Sequence, residues 1–152
     1  MILFREESFT EALLEEVASL TEDHWDEVAN FKDTIKLAVD NEKYISLGLK
    51  KSCRLYTMRD DDRLVGYMSV LVDTHLHYKN DLFAFVDTIF IDIDYRKGAS
   101  ALYFMKLVEN QMKLLDVKVM SYHIKVKADY PAIFKRLKFE KVEHIYSKLL
   151  GE

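Results

Sequence analysis

Cysteine, proline and glycine are all scarce in this chain. The single cysteine, Cys53, has no partner for an intramolecular disulfide and cannot build a multi-cysteine zinc site; it suits a reducing compartment. One proline and four glycines in 152 residues exclude a collagenous, linker-rich or low-complexity chain. Long apolar runs are missing too. The longest, near Leu82 to Ile91, is broken by Asp87 and falls far short of the ~20 residues a membrane-spanning helix needs. The first residues lack the basic start and apolar core of a signal peptide, so a cytoplasmic location is expected. Neither sign of charge dominates: 22 Lys and Arg face 26 Asp and Glu, a net charge of −4. No basic field is available for wrapping nucleic acid, and neither nucleic acid nor membrane is expected as a partner.

What is present is a chain able to bury a core. Hydrophobic residues make up 49% and charged residues 32%, a balance typical of one globular domain, taken here as residues 1–152. Ser8 and Glu11 fit a capping box before a helix whose apolar stripe is Phe9, Leu13, Val17 and Leu20. A second helical piece carries Trp25, Val28 and Phe31, and Ile35 to Leu49 is also helical in pattern. The period then changes. Cys53–Arg59 and Arg63–Asp73 read as a hairpin around the turn residues Asp60-Asp61-Asp62. Leu82–Asp92 is apolar on both faces, with Phe83, Phe85, Ile89 and Ile91 on one and Ala84, Val86 and Phe90 on the other, as in a central strand. A helix with the stripe Leu102, Met105, Val108, Met112 and Leu115 follows. A strand Val117–Val126, a short helix begun by Pro131 and a closing strand Phe139–Leu149 complete the order. That order predicts an α+β fold, a mixed α/β sandwich.

One junction carries chemistry: strand, basic loop, helix, from Phe90 to Leu107. A helix start presents unpaired backbone N–H groups and the positive end of its dipole, which together favour an anion. Arg96 and Lys97 add charge, Gly98 allows a tight turn, and Ala99, Ser100 and Ala101 keep the approach free of bulk. Phosphate or pyrophosphate is the ligand class this implies. Neither a Walker loop nor a Rossmann fingerprint is present.

The segment Ile89-Phe90-Ile91-Asp92-Ile93-Asp94-Tyr95-Arg96-Lys97-Gly98 resembles the acyl-CoA-binding segment of the GNAT superfamily of N-acetyltransferases. Arg63-Leu64-Val65-Gly66-Tyr67 is similar to that family's third strand, and Ala132 to Val142 to its closing helix and strand. More narrowly, Glu22-Asp23-His24-Trp25 and Thr74-His75-Leu76-His77-Tyr78 look like small GNAT proteins of tailed bacteriophages. The resemblance implies a mixed, mostly antiparallel sheet with a splayed parallel strand pair, flanked by helices. It implies acetyl-CoA as cosubstrate, held by the backbone of Ile89, Phe90, Ile91 and the loop Arg96 to Ala101. Two departures stand out. Tyr95 falls where the family's loop begins with Arg or Gln, unless the loop is one residue shorter and Arg96 keeps that role. Phe134 falls where many members carry the tyrosine that protonates the leaving thiolate.

Acetyl transfer to an amine requires loss of an ammonium proton, stabilisation of an oxyanion and departure of a thiolate. An amine of pKa about 10.4 resists deprotonation at neutral pH, so a base lowers the barrier. Asp87, a lone carboxylate in an apolar strand, is the candidate base or substrate anchor; burial would raise its pKa, and the plainer alternative is that it pairs with a Lys or caps a backbone group. Tyr130 and Tyr122 are candidate replacement acids. His75 and His77, at i and i+2, and Tyr78 are candidates for lining the amine pocket; no third ligand at a convincing spacing makes the His pair a metal site. His24-Trp25 reads as packing the first helices on the sheet, and Cys53 as a small buried apolar group. The acceptor expected is an amine on a small molecule, a protein lysine or an N-terminus. A non-catalytic protein of the same fold, binding CoA or a protein partner, is the rival reading, and a homodimer is left open.

Overall fold

A computed structural model describes residues 1–151. Five strands form one sheet in the order β1-β2-β3-β4-β5: β1 Ile2–Glu7, β2 Cys53–Asp60, β3 Arg63–His75, β4 Tyr78–Ile91 and β5 Val117–Tyr122. The first four are mutually antiparallel, and β4 and β5 are parallel around a crossover helix. The fold is therefore the mixed sheet with a parallel pair and flanking helices that the sequence predicts. The helices are α1 Glu11–Val28, α2 Asn41–Leu49, α3 Ser100–Leu114 and α4 Pro131–Arg136. Among the described residues, no helix is long and apolar enough to cross a membrane.

Two apolar layers sandwich the sheet. On one side α3 packs through Leu102, Phe104, Met105, Val108 and Met112 against Tyr56, Met58, Met68, Val70, Ala84 and Val86. On the other side Leu13, Leu14, Val17 and Leu20 of α1 meet Leu55, Leu64, Tyr67 and Phe90. Of the predicted stripe, Leu102, Met105, Val108 and Met112 are buried, whereas Leu115 caps the helix end and is half-buried; Phe104, stacked on Phe4 of β1, joins the buried set.

Several sequence expectations are corrected. β1 was not anticipated; its six residues are only half apolar because it is an edge strand with exposed alternate positions. Thr10, not Ser8, caps α1, its hydroxyl accepting from the Leu13 N–H at 3.2 Å. The two helical pieces around Leu20 and Trp25 are one helix, which stops before Phe31, a residue at φ 59° in the following turn. The helix expected over Ile35–Leu49 is confined to Asn41–Leu49, where the Asp40 carboxylate accepts from the Lys43 N–H. The strand expected to Val126 ends at Tyr122, and the closing strand Phe139–Leu149 is not a strand: among the described residues, no regular structure follows α4. With it gone, the strand Leu82–Asp92 lies one in from the edge, and β3 is the middle strand.

The faces predicted for β4 are also wrong, for a local reason. Ser69 pairs with Thr88 but Val70 pairs with Val86, so Asp87 is an extra residue in β4, a β-bulge. A bulge resets the alternation of side chains. Ala84 and Val86 share the α3 side with Ile89 and Ile91, whereas Phe90 points to the α1 side. A second bulge at Val65 in β3 does the same beside Gly66, where an added Cβ would come within 3.0 Å of the Phe90 carbonyl oxygen.

Candidate active site

The Asp87 bulge is the origin of the site. Bulges bend a strand and tighten its twist. The parallel ladder between β4 and β5 runs from Leu82 and Val117 to Val86 and Tyr122, with a long last bond from the His123 N–H to the Val86 carbonyl at 3.4 Å. Beyond that point β5 has ended, and β4 continues to Ile91 with only β3 beside it. Ile89, Phe90 and Ile91 thus lie on an edge with no strand partner on the β5 side.

That edge feeds the basic loop. Asp92 caps one 3₁₀ turn, Ile93–Tyr95, by accepting from the Asp94 N–H at 3.0 Å. Lys97, Gly98 and Ala99 are exposed, and Gly98 takes φ +78°, a left-handed backbone that favours glycine. Ala99 precedes α3 and offers no side-chain cap, so the 15-residue helix starts with free donors facing the loop. Nothing lies within 4 Å of a Cβ built on Gly98, so a larger residue there strains the backbone rather than crowding the loop.

Arg96 does something the sequence did not reveal. Its guanidinium donates to both carboxylate oxygens of Glu27 at 2.8 and 2.6 Å, and its Nε donates to the Ile91 carbonyl at 2.7 Å. It lies over the Phe90 ring at 5.1 Å, and the hydroxyl of Tyr130 faces the same guanidinium. Arg96 therefore ties the end of α1 to the open edge of β4, leaving Lys97 as the exposed cation of the loop.

Asp87 is exposed, contrary to the expected burial, because the bulge turns it out of the apolar layer. The Tyr44 hydroxyl reaches its Oδ2 at 3.4 Å. Around it are buried groups of altered acidity. Burial, then the Asp87 charge, pushes the Tyr44 phenol up to about 12. Burial likewise raises the Tyr67 phenol to about 12 and the Cys53 thiol to about 11. Cys53 is a buried apolar group, as read from the sequence. His24 stacks on Phe90 with centroids 5.3 Å apart, and its Nδ1 lies 3.0 Å from the Tyr67 hydroxyl; burial lowers its pKa. His24 therefore packs α1 on the sheet, as expected, beside the open edge.

The other nominated residues divide. Tyr130 is exposed at the start of α4, next to Arg96. Tyr122 sits in the apolar layer, its hydroxyl 4.0 Å from the Met68 sulfur and its acidity weakened by burial. Phe134 packs on Tyr122 and Phe139. His75, His77 and Tyr78 cluster at the tip of the β3–β4 hairpin, nine residues from Asp87 along β4, on the order of 25–30 Å of strand. They are not brought together with Asp87. A row of rings runs back from the tip instead: Tyr78 to Phe83 at 5.6 Å, Phe83 to Phe85 at 6.5 Å, Phe85 to His123 at 5.6 Å. Sequence reading missed this row because the bulge had hidden which face Phe83 and Phe85 take.

Two open hollows of about 470 and 400 Å³ lie beside β1 and include none of the nominated residues except Cys53. Among the described residues, no three His, Cys, Asp or Glu side chains gather to hold a metal ion.

No protein-family model matches the chain, and no curated protein sequence matches it. Solved structures do. A GCN5-related N-acetyltransferase from Ralstonia eutropha JMP134 superposes with a TM-score of 0.79 at 12% identity, over 99% of this chain and 100% of that one. An aminoglycoside acetyltransferase from an uncultured soil metagenomic sample, in complex with sisomicin, gives 0.73 at 12% identity over 97% and 96%. A structure described as a predicted acetyltransferase with acetyl-CoA, from Clostridium acetobutylicum, gives 0.71 at 9% identity over 99% and 97%. The chain has the GNAT fold.

Proposed function

We propose that this protein is an acetyl-CoA-dependent N-acetyltransferase that passes an acetyl group to a primary amine by direct attack on the thioester. One observation carries the reading: the open edge of β4, released at the Asp87 bulge, runs straight into an uncapped helix start behind an exposed Lys97 and Gly98. The backbone N–H groups from Lys97 to Ala101 would take the pyrophosphate, and the backbone of Ile89 to Ile91 the acyl arm and the developing oxyanion. Acetyl-CoA bound to one of the solved structures of this fold is consistent with that assignment.

In this reading Asp87 stands on the acceptor side. Being exposed, it acts by position and charge: it holds the ammonium and receives its proton, directly or through water, as the nitrogen attacks. Tyr130, or water, returns a proton to the thiolate. The ring row from Tyr78 to His123 would give an acceptor an aromatic wall running back from the hairpin tip, which suits a cationic amine; His75, His77 and Tyr78 would touch only an acceptor long enough to reach that tip. A phage-type origin rests on the two short segments at the end of α1 and at that tip.

The test is thiol release from acetyl-CoA on a panel of polyamines, aminoglycosides, amino acids and lysine peptides. Asp87→Asn should lower turnover about 10²–10⁴-fold with acetyl-CoA affinity unchanged. Phe134, packed where many relatives place an acid, favours a second reading, a non-catalytic CoA-binding protein. Tight acetyl-CoA binding with no turnover across the panel would select it.

A further inference from the structure

The last turn of α1, Trp25-Asp26-Glu27-Val28, breaks a local rule. It carries two carboxylates and no basic side chain, although the carbonyl end of a helix dipole disfavours negative charge. The cations come from elsewhere in the chain. Lys32, in the following turn, donates to the Asp26 carbonyl at 2.5 Å and stands 3.7 Å from its carboxylate. Arg96, from the loop after β4, takes both oxygens of Glu27. Lys127, from the 3₁₀ turn Val126–Ala128 after β5, donates to the Ala29 carbonyl at 2.8 Å. β4 and β5 no longer pair at this level, so the end of α1 is fastened to the continuations of both strands. A local conflict that the chain resolves at long range is expected at functional positions.

We propose that Glu27 is a positioning residue for the cofactor loop: it holds Arg96 as a strut between α1 and the open edge of β4, which leaves the backbone N–H groups of the loop, not the Arg96 guanidinium, to meet the pyrophosphate. The proposal rests on the acetyl-CoA reading above. Arg96 has Nε on the Ile91 carbonyl and its two Nη atoms on Glu27, so three protein oxygens occupy its fork. It sets where the chain turns between Ile91 and Gly98. His24, one helical turn before Glu27, stacks on Phe90, so the same face of α1 holds the end of β4 at a second point. Both members of the Glu27–Arg96 pair keep access to solvent, and such pairs add little to stability; this one fixes geometry.

Titration calorimetry of acetyl-CoA into the wild type, Glu27→Ala, Arg96→Ala and the double variant tests the proposal. Glu27→Ala should weaken binding by about 3- to 30-fold. Arg96→Ala should cost a similar factor, and the double variant should lose no more than either, because the two side chains act as one unit. Glu27→Gln keeps an oxygen for one Nη donor and should recover part of the loss. Tm should move little in any of them, while hydrogen exchange without ligand should rise at residues 92–101 in Glu27→Ala. Tighter binding in Glu27→Ala overturns the proposal, by making Arg96 a phosphate ligand that Glu27 holds back. Unchanged binding in Glu27→Ala, or additive losses in the double variant, overturn it as well, and all three results leave the acetyl-CoA reading standing. A wild type that binds no acetyl-CoA overturns that reading and the positioning role with it.

Discussion

The two sides of the sheet are built for different work. The α3 side is an apolar layer that contains Phe104, Met58, Met68, Val70, Val86 and Val108 with essentially no exposure. The α1 side holds all three buried polar side chains, Thr57, Arg59 and Ser69, and borders His24, Tyr44, Tyr67 and Asp87. Ser69 and Thr88 share a hydrogen bond of 2.5 Å beside the bulge, which gives the strand irregularity a polar support. Packing on one side holds the sheet, and polar groups on the other are free to be arranged around the open edge. The difference predicts that stability should respond to volume on the α3 side and to pH on the α1 side.

The largest effect should come from the α3 side. Phe104→Ala removes a fully buried ring stacked on Phe4 at 5.5 Å. Truncations of this kind cost about 3–5 kcal/mol, a large share of the ~5–15 kcal/mol that holds a domain together. Calorimetry should show Tm falling by roughly 6–20 °C. The fall should be nearly the same at pH 5 and pH 8, since the ring lies in a cluster of apolar side chains. A strongly pH-dependent loss would break the division between the two sides.

On the α1 side the strongest device is an ion cluster. Arg59, almost fully buried, donates to Glu7 from Nε at 2.7 Å and to Glu16 from Nη1 at 2.8 Å, and Thr57 donates to Glu7 at 2.6 Å. Burial alone would raise the Glu7 carboxyl, but the hydrogen bonds from Arg59, Thr57 and Arg5 prevail and hold it at about 2. A depressed carboxyl contributes stability above its unfolded pKa near 4.5 and loses it as pH falls toward 2. The contribution is on the order of 3 kcal/mol. Denaturant titrations from pH 5 to pH 2.5 should show this loss in the wild type and a flatter profile in Glu7→Gln, which starts from a lower stability. An unchanged profile would remove Glu7 from the acid response.

The legibility of the chain follows the same division. The α3 stripe, the hairpin β2–β3 and the basic loop were readable because periodicity and turn chemistry are local signals. The faces of β4 were not, since a bulge is fixed by the register with β3 and leaves no mark in β4's own sequence. Asp87 was singled out correctly as anomalous and given the wrong environment for that reason. Arg96 was read as a loop cation; its bond to Glu27 spans 69 residues and depends on where α1 ends. The closing strand was read from β-favouring residues that pair with no strand here, although the outer edge of β5 is free.

The smallest effect concerns His24 and sharpens the contrast in a separate pH window. Burial against Phe90 and Tyr67 lowers its pKa below the ordinary 6.5. The unfolded chain then binds the proton more readily, so stability is full above about pH 6.5 and declines as pH falls through the folded-state value. This window lies above that of Glu7, so the two can be separated. Nearby Glu27 and Asp87 favour the protonated ring while Arg96 and Lys125 oppose it, and burial outweighs them all. His24→Asn keeps a polar atom near the Tyr67 hydroxyl but cannot take up the proton. Wild-type Tm should drop by a few degrees between pH 7.5 and pH 5.5, and the drop should vanish in His24→Asn. A drop of equal size in the variant would assign that limb to another group and leave the α1 side with acid sensitivity only at Glu7.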